Sequence, residues 1–230
     1  MCEYRDCYLA FIDILGFTER VRASDTNEEQ FNEVLRGLTQ LDLYNPGKTD
    51  SDDKGYLFSD NIAIVTKKDP TSLGRLVRRV HQIYGHLLSL KLMTRGAIVA
   101  GKLYWSESII FGPALIEAIE LEKKAKYPRI ALQESVAQDI KSICAAGVLQ
   151  QIAEGRNVVR QQEVVTEYYD LDLLNLTPTW GVGLSREGWL AGIQAFLIEE
   201  RSKPQMDKEK LEKIEWFLHY VDGTLKILHA

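Results

Sequence analysis

The residues Tyr8-Leu-Ala-Phe-Ile-Asp-Ile-Leu-Gly-Phe17 form an apolar run broken by one carboxylate, Asp13. A run of this length, rich in Ile, Phe and Tyr, reads as a buried strand. A carboxylate inside such a strand is too costly to desolvate without a partner, and a cation is one candidate. A second stretch, Tyr56-Leu-Phe-Ser-Asp-Asn-Ile-Ala-Ile-Val65, repeats the pattern. Here Asp60 stands between two short apolar arms, with Ser59-Asp60-Asn61 at the turn of a tight hairpin. One aspartate at a strand end and another at a hairpin tip can converge on a divalent cation. Magnesium and manganese take carboxylate oxygens and keep positions open for phosphates. Each aspartate taken alone also fits a turn or a helix cap.

The chain has 230 residues, enough for one large domain or somewhat more. Its net charge of −5 argues against bulk attraction to nucleic acid or to an anionic membrane. No apolar run approaches the ~20 residues of a membrane span. Met-Cys-Glu-Tyr-Arg-Asp at the start carries no apolar signal core. Cys2, Cys7 and Cys144 form no CxxC pair, which fits a reducing compartment, and His81, His86, His219 and His229 lack zinc-ligand spacing. The expectation is a cytoplasmic protein that binds neither nucleic acid nor membrane.

Gly16 permits a sharp exit from the first strand, and Thr26-Asn-Glu-Glu29 reads as a capping box for a helix to about Tyr44. Phe31, Val34, Leu35, Leu38 and Leu41 share one face of that helix. Asn45-Pro-Gly-Lys breaks it. Asp50-Ser-Asp-Asp-Lys-Gly55 fails as a calcium loop, with Lys54 at position five and Asn61 at position twelve, and reads as a solvated loop. The hairpin spans Gly55 to Thr66. Asp69-Pro70 starts a helix to about Lys91, whose Arg75, Arg78 and Arg79 read as a solvated face. Strands follow at Met93–Gly101, Ser108–Phe111 and Tyr127–Leu132, with a helix from Gly112-Pro113 to about Lys124. A helix over Glu134–Ala145 and a β-rich piece around Val158–Leu171 come next. This order predicts an α+β sandwich: a mainly antiparallel sheet with helices on one face. Ser185–Arg201 and Asp207–Leu228 read as two C-terminal helices. In the second, Leu211, Ile214, Leu218, Val221, Leu225 and Leu228 repeat three and four apart. That seam fits packing on the same chain or pairing across a dimer. The division expected is 1–180 as a catalytic domain and 181–230 as a helical extension.

Phe11-Ile-Asp-Ile-Leu-Gly-Phe17 resembles the first metal motif of class III nucleotidyl cyclases, commonly Phe-x-Asp-Ile-x-Gly-Phe. Phe58-Ser-Asp-Asn61 is similar to their second metal motif, and Arg95-Gly-Ala-Ile-Val-Ala-Gly101 to their Arg-x-Gly-x-x-x-Gly strand. Phe111–Glu122 resembles the segment with their transition-state residues. The resemblance covers roughly residues 5–135. It implies a ferredoxin-like core working as a head-to-tail homodimer with sites at the interface. It implies that Asp13 and Asp60, with the Ile14 carbonyl, hold two divalent cations, Mn2+ or Mg2+. Backbone N–H groups of Leu15, Gly16 and Phe17 would cradle the triphosphate.

Purine cyclases carry a lysine where this chain has Tyr56, and an aspartate or similar residue where it has Ile109. The expected transition-state asparagine and arginine fall at Ile116 and Glu120. Arg129 is then a candidate for the missing cation, with Arg95 a weaker one. Retained metal ligands beside replaced purine readers resemble the bacterial pyrimidine cyclases of Pycsar-type anti-phage defence. The implied activity is conversion of UTP to 3',5'-cyclic UMP and pyrophosphate, the product being read by a separate effector protein. The alternatives are a cytidylate cyclase acting on CTP, or a catalytically degenerate cyclase-like module that senses a nucleotide. In the pyrimidine reading Tyr56 and Ile109 line the base pocket.

Overall fold

The protein is described by a computed structural model covering residues 3–41, 53–147, 159–161, 169–174, 185–204 and 206–229. The first apolar run forms β1, Arg5–Ile14. It lies between β3, Asn61–Lys67, and β4, Thr94–Trp105, and is antiparallel to both. Asp13 stands opposite Asn61 on one side and Arg95 on the other. Burial on two faces explains why β1 is apolar without alternation. Tyr8, Ala10, Ile12 and Ile14 enter one core, and Cys7, Leu9 and Phe11 enter a second core on the other face.

The sheet continues through β2, Lys54–Phe58, beyond β3, and through β6, Ile130–Leu132, β8, Tyr169–Leu171, and β7, Val159–Gln161, beyond β4. Among the described residues the order is β2-β3-β1-β4-β6-β8-β7, and β4–β6 is the parallel pair. The short β5, Ile110–Phe111, folds back on β4. The first core also takes in α3, Pro70–Ser89, and α5, Glu134–Ala145, with the C-terminal helices α6, Arg186–Arg201, and α7, Lys208–Leu228.

The expectation of helices on one face needs a correction. α4, Pro113–Ala125, covers the second core with Ala114, Ala118, Leu121 and Ala125. Its small side chains let a helix settle on the side of the sheet that β1 fills with Leu9 and Phe11. Gly96 marks another close approach, since a Cβ there would stand 2.5 Å from the Phe11 carbonyl oxygen.

Four further readings change. A separate helix, α1, Phe17–Ser24, begins directly after Gly16, and α2 spans Glu28–Leu41. Asn27 caps α2 by accepting from Gln30 N–H at 3.1 Å, so the cap is not Thr26. Phe31 and Leu35 are half exposed, leaving Val34 and Leu38 as the inward contacts of α2. Finally, Asp53 is buried, not solvated. It accepts from Arg75 and from Arg79, the latter at 3.2 Å, and from Thr66, so two of the three expected surface arginines hold a loop. Tyr44, the Asn45–Lys48 break and Asp50–Asp52 lie outside the described residues.

The C-terminal seam packs within the same chain. Ile214, Phe217, Leu218, Tyr220 and Val221 are buried in the first core, and Phe217 meets Tyr84 of α3 edge to face at 6.4 Å.

Candidate active site

The β2–β3 hairpin closes on a two-residue turn, with Phe58 opposite Asn61 and Ser59 in the left-handed region at φ +57°. Ile14 N–H donates to the Asp60 carbonyl at 2.9 Å, which fixes the hairpin tip at the end of β1. Leu15 N–H donates to the Met93 carbonyl at 2.9 Å, which holds the exit of β1 against the entry to β4. Gly16, at φ +74°, then turns the chain into α1, a conformation in which a side chain is strained. These contacts place Asp60, at the hairpin tip, beside the end of β1 that carries Asp13.

Asp13 accepts from Arg95 Nε at 3.2 Å. The same nitrogen forms an ion pair with Glu122 of α4, a buried acid. Burial pushes the Asp13 carboxyl above its ordinary range; Arg95 pulls it down, and Asp60 adds to the rise. Glu122 is raised for the same reasons, by burial first, with Arg95 opposing and Asp13 adding. Two mutually repelling carboxylates, one of them mostly desolvated, suit a hard divalent cation whose remaining positions go to water and phosphate. Among the described residues no group of three or more His, Cys, Asp or Glu side chains is placed to hold a metal.

The other candidates divide. The Leu15 N–H is engaged by Met93, which leaves Gly16 and Phe17 N–H at the start of α1 as the donors for an anion. Arg95 pairs with Asp13 at 3.2 Å. Tyr56 and Ile109 meet at the β4–β5 turn: the Tyr56 hydroxyl donates to the Ser106 carbonyl, and Ser106 N–H donates to the Ile109 carbonyl at 2.9 Å. That turn lies at the opposite end of β4 from Arg95. Ile109 is 54% exposed. Arg129 is buried, pairs with Asp170 of β8 at 3.3 Å and donates from Nε to the Ala125 carbonyl at 3.0 Å. Ile116 and Glu120 stand on the exposed side of α4.

Two residues beside the pair escaped the sequence reading. Glu122 had a signal: it falls on the helical stripe of Ala114, Ala118, Leu121 and Ala125, where an acid is out of place. Lys213 had none, because only the packing of α7 brings it to the end of β1. A cleft of about 450 Å³ opens there, lined by Leu15, Gly16 and Met93 on one side and Lys210 and Lys213 on the other.

No family model matches the sequence, and no curated protein does. Solved structures do match in fold. The adenylyl cyclase CyaB from P. aeruginosa superposes with a TM-score of 0.52 at 13% identity, over 74% of this chain and 94% of that one. The catalytic core of a rhodopsin-guanylyl cyclase with converted specificity, in complex with ATPalphaS, gives 0.51 at 17% identity, over 74% and 96%. The fold matches that of these cyclase structures: an α+β sheet in which β1 lies between β3 and β4, with the β2–β3 hairpin at one edge.

Proposed function

We propose that this chain is a nucleotidyl cyclase that converts UTP to 3',5'-cyclic UMP and pyrophosphate. The observation that carries the reading is the hydrogen bond from Ile14 N–H to the Asp60 carbonyl at 2.9 Å, which sets Asp60 beside Asp13 at the end of β1, directly before the left-handed turn at Gly16. In this reading the two carboxylates and the Ile14 carbonyl hold two divalent cations, Mn2+ or Mg2+. When bound, the cations supply activation of the substrate 3′-hydroxyl and charge neutralisation on the leaving pyrophosphate. The Gly16 and Phe17 N–H groups face the polyphosphate. Arg95 neutralises Asp13 and Glu122 until cations replace it.

Base choice rests on Tyr56. Its hydroxyl spends its proton on Ser106, so it meets a ligand as an acceptor. Uracil N3–H is a donor and cytosine N3 is an acceptor, so an accepting hydroxyl set against N3 favours UTP over CTP. Incubation of the purified chain with each of the four ribonucleoside triphosphates and manganese, with product chromatography, tests this. UTP turnover with little from ATP or GTP is expected; equal turnover of ATP overturns the pyrimidine assignment. Tyr56→Phe should keep the ring and lower the preference for UTP over CTP.

A second reading has its own support. Ile116 and Glu120 occupy the usual transition-state positions, and Arg129 is committed to Asp170. A cyclase-like module that binds a nucleotide without turnover fits those facts, and nucleotide binding with no product would establish it. For the active enzyme we place the product as a second messenger in anti-phage defence, read by a separate effector, and we assign the assembly as a homodimer.

A further inference from the structure

The geometry points to Lys213, on the C-terminal helix α7, as a polyphosphate-binding residue supplied by the same chain that supplies Asp13. The inference rests on the cyclase reading for the identity of its substrate. Two observations carry it. Lys213 lines the cleft at Leu15 and Gly16, where α1 begins. Its side chain is only 16% exposed, while the Glu209 carboxylate that it meets at 2.7 Å is 66% exposed.

The other cations of the cleft differ. Lys210 is twice as exposed and reaches Glu19 at 3.4 Å, Lys203 pairs with Glu200 on its own segment, Lys91 pairs with Glu199 at 3.7 Å, and Arg20 donates to the Lys91 carbonyl at 2.9 Å. Such surface pairs contribute little and carry no direction. Lys213 instead is itself shielded while its partner Glu209 is solvated. An ammonium on a four-carbon stem can leave Glu209 and turn to a phosphate oxygen without breaking a buried contact. α7 is anchored to do this. Trp216 stacks on Tyr127 at 5.2 Å, Lys126 at the end of α4 pairs with Glu212 at 2.6 Å, and Phe217 is wholly buried. The C-terminal extension thereby gives the site a cation that the Ile116 and Glu120 positions of α4 do not.

The test is calorimetric titration of the full chain with inorganic tripolyphosphate and magnesium, alongside initial rates with manganese–UTP. Lys213→Ala should weaken tripolyphosphate binding about ten- to a hundredfold, the loss expected for one charge-assisted contact. Lys213→Arg should restore most of it, and Glu209→Ala should bind within about threefold of wild type, all with unchanged melting temperature. Equal weakening in Lys213→Ala and Glu209→Ala would show a helix ion pair and nothing more, and overturns the inference. So does tripolyphosphate binding unchanged in Lys213→Ala, or none by the wild type. If the wild type binds tripolyphosphate through Lys213 but cyclises no nucleotide, the cyclase reading fails and the phosphate site stands. If UTP is cyclised and Lys213→Ala keeps its KM, the phosphate assignment alone fails.

Discussion

His81 lies on the buried side of α3, 1% exposed, and burial pushes its imidazole down to about 3. An unfolded chain protonates the same group near its ordinary 6.5. Between those values the unfolded state binds a proton that the folded state refuses. Stability from this group is therefore complete above about pH 6.5 and is lost as pH falls, at about 1.4 kcal/mol per pH unit. Urea unfolding at pH 7.0, 6.0 and 5.0 should show this slope in the wild type. His81→Leu should flatten it by about one proton, and an unchanged slope would rule out a buried neutral imidazole. The acidic pair is a different case, because in the proposed reading its charge serves a cation. Asp13→Asn and Asp60→Asn keep shape and remove the charge that a cation needs. Each should lower cyclase turnover by at least about a thousandfold, ~4 kcal/mol in barrier terms, with the melting temperature held or raised. Full activity in either variant refutes the metal assignment.

At the scale of elements, the ion pair of Arg129 and Asp170 ties β6 to β8, and α7 closes over the same region with Arg129 beneath Trp216 at 6.0 Å. Asp170→Ala leaves a buried guanidinium without its carboxylate and should cost about 3–5 kcal/mol in chemical denaturation. Phe217→Ala removes a wholly buried ring and should cost a similar ~3–5 kcal/mol. If Asp170→Ala is fully stable but slow with UTP, Arg129 belongs to catalysis and not to the fold. The elements that carry the site were legible because their signals are local. Apolar length marks β1, Ser59-Asp60 marks the hairpin, and Asp69-Pro70 marks α3, where Asp69 does accept from Ser72 N–H at 2.9 Å. What stayed hidden depends on partners distant in sequence. Asp53 sits in a loop that reads as solvated, and only Arg75 and Arg79, a helix away, make its burial affordable. α1 has a single buried residue, Phe17, so it shows almost no apolar periodicity. The side on which the C-terminal seam packs is also undetermined by spacing, since the same three-and-four repeat suits either surface.

At the scale of the whole molecule, the candidate site is divided. Asp13 and Asp60 stand at the C-terminal end of β1, while the Tyr56 hydroxyl and Ile109 stand at the β4–β5 turn, at the far end of β4 from Arg95. A head-to-tail pair would bring the turn of one copy to the carboxylates of the other, and exposed apolar side chains are available for such a contact. Ile109, Phe111 and Ile116 are about half exposed or more and belong to β5, its turn and α4; Phe58 at the hairpin tip is similar. Ile116→Asp should therefore yield a monomer by light scattering and lose turnover, although Ile116 touches neither carboxylate in the reading above. Complementation is the sharper measurement. Asp13→Asn breaks the metal half of a site and Tyr56→Ala the base half, so each protein alone should be nearly inactive. When the two are mixed and allowed to exchange, about half of the dimers are mixed, and each mixed dimer holds one doubly damaged site and one intact site. The mixture should recover about a quarter of wild-type turnover. Recovery of that size requires a site shared between copies, and no recovery despite demonstrated subunit exchange places both halves of the site within one chain.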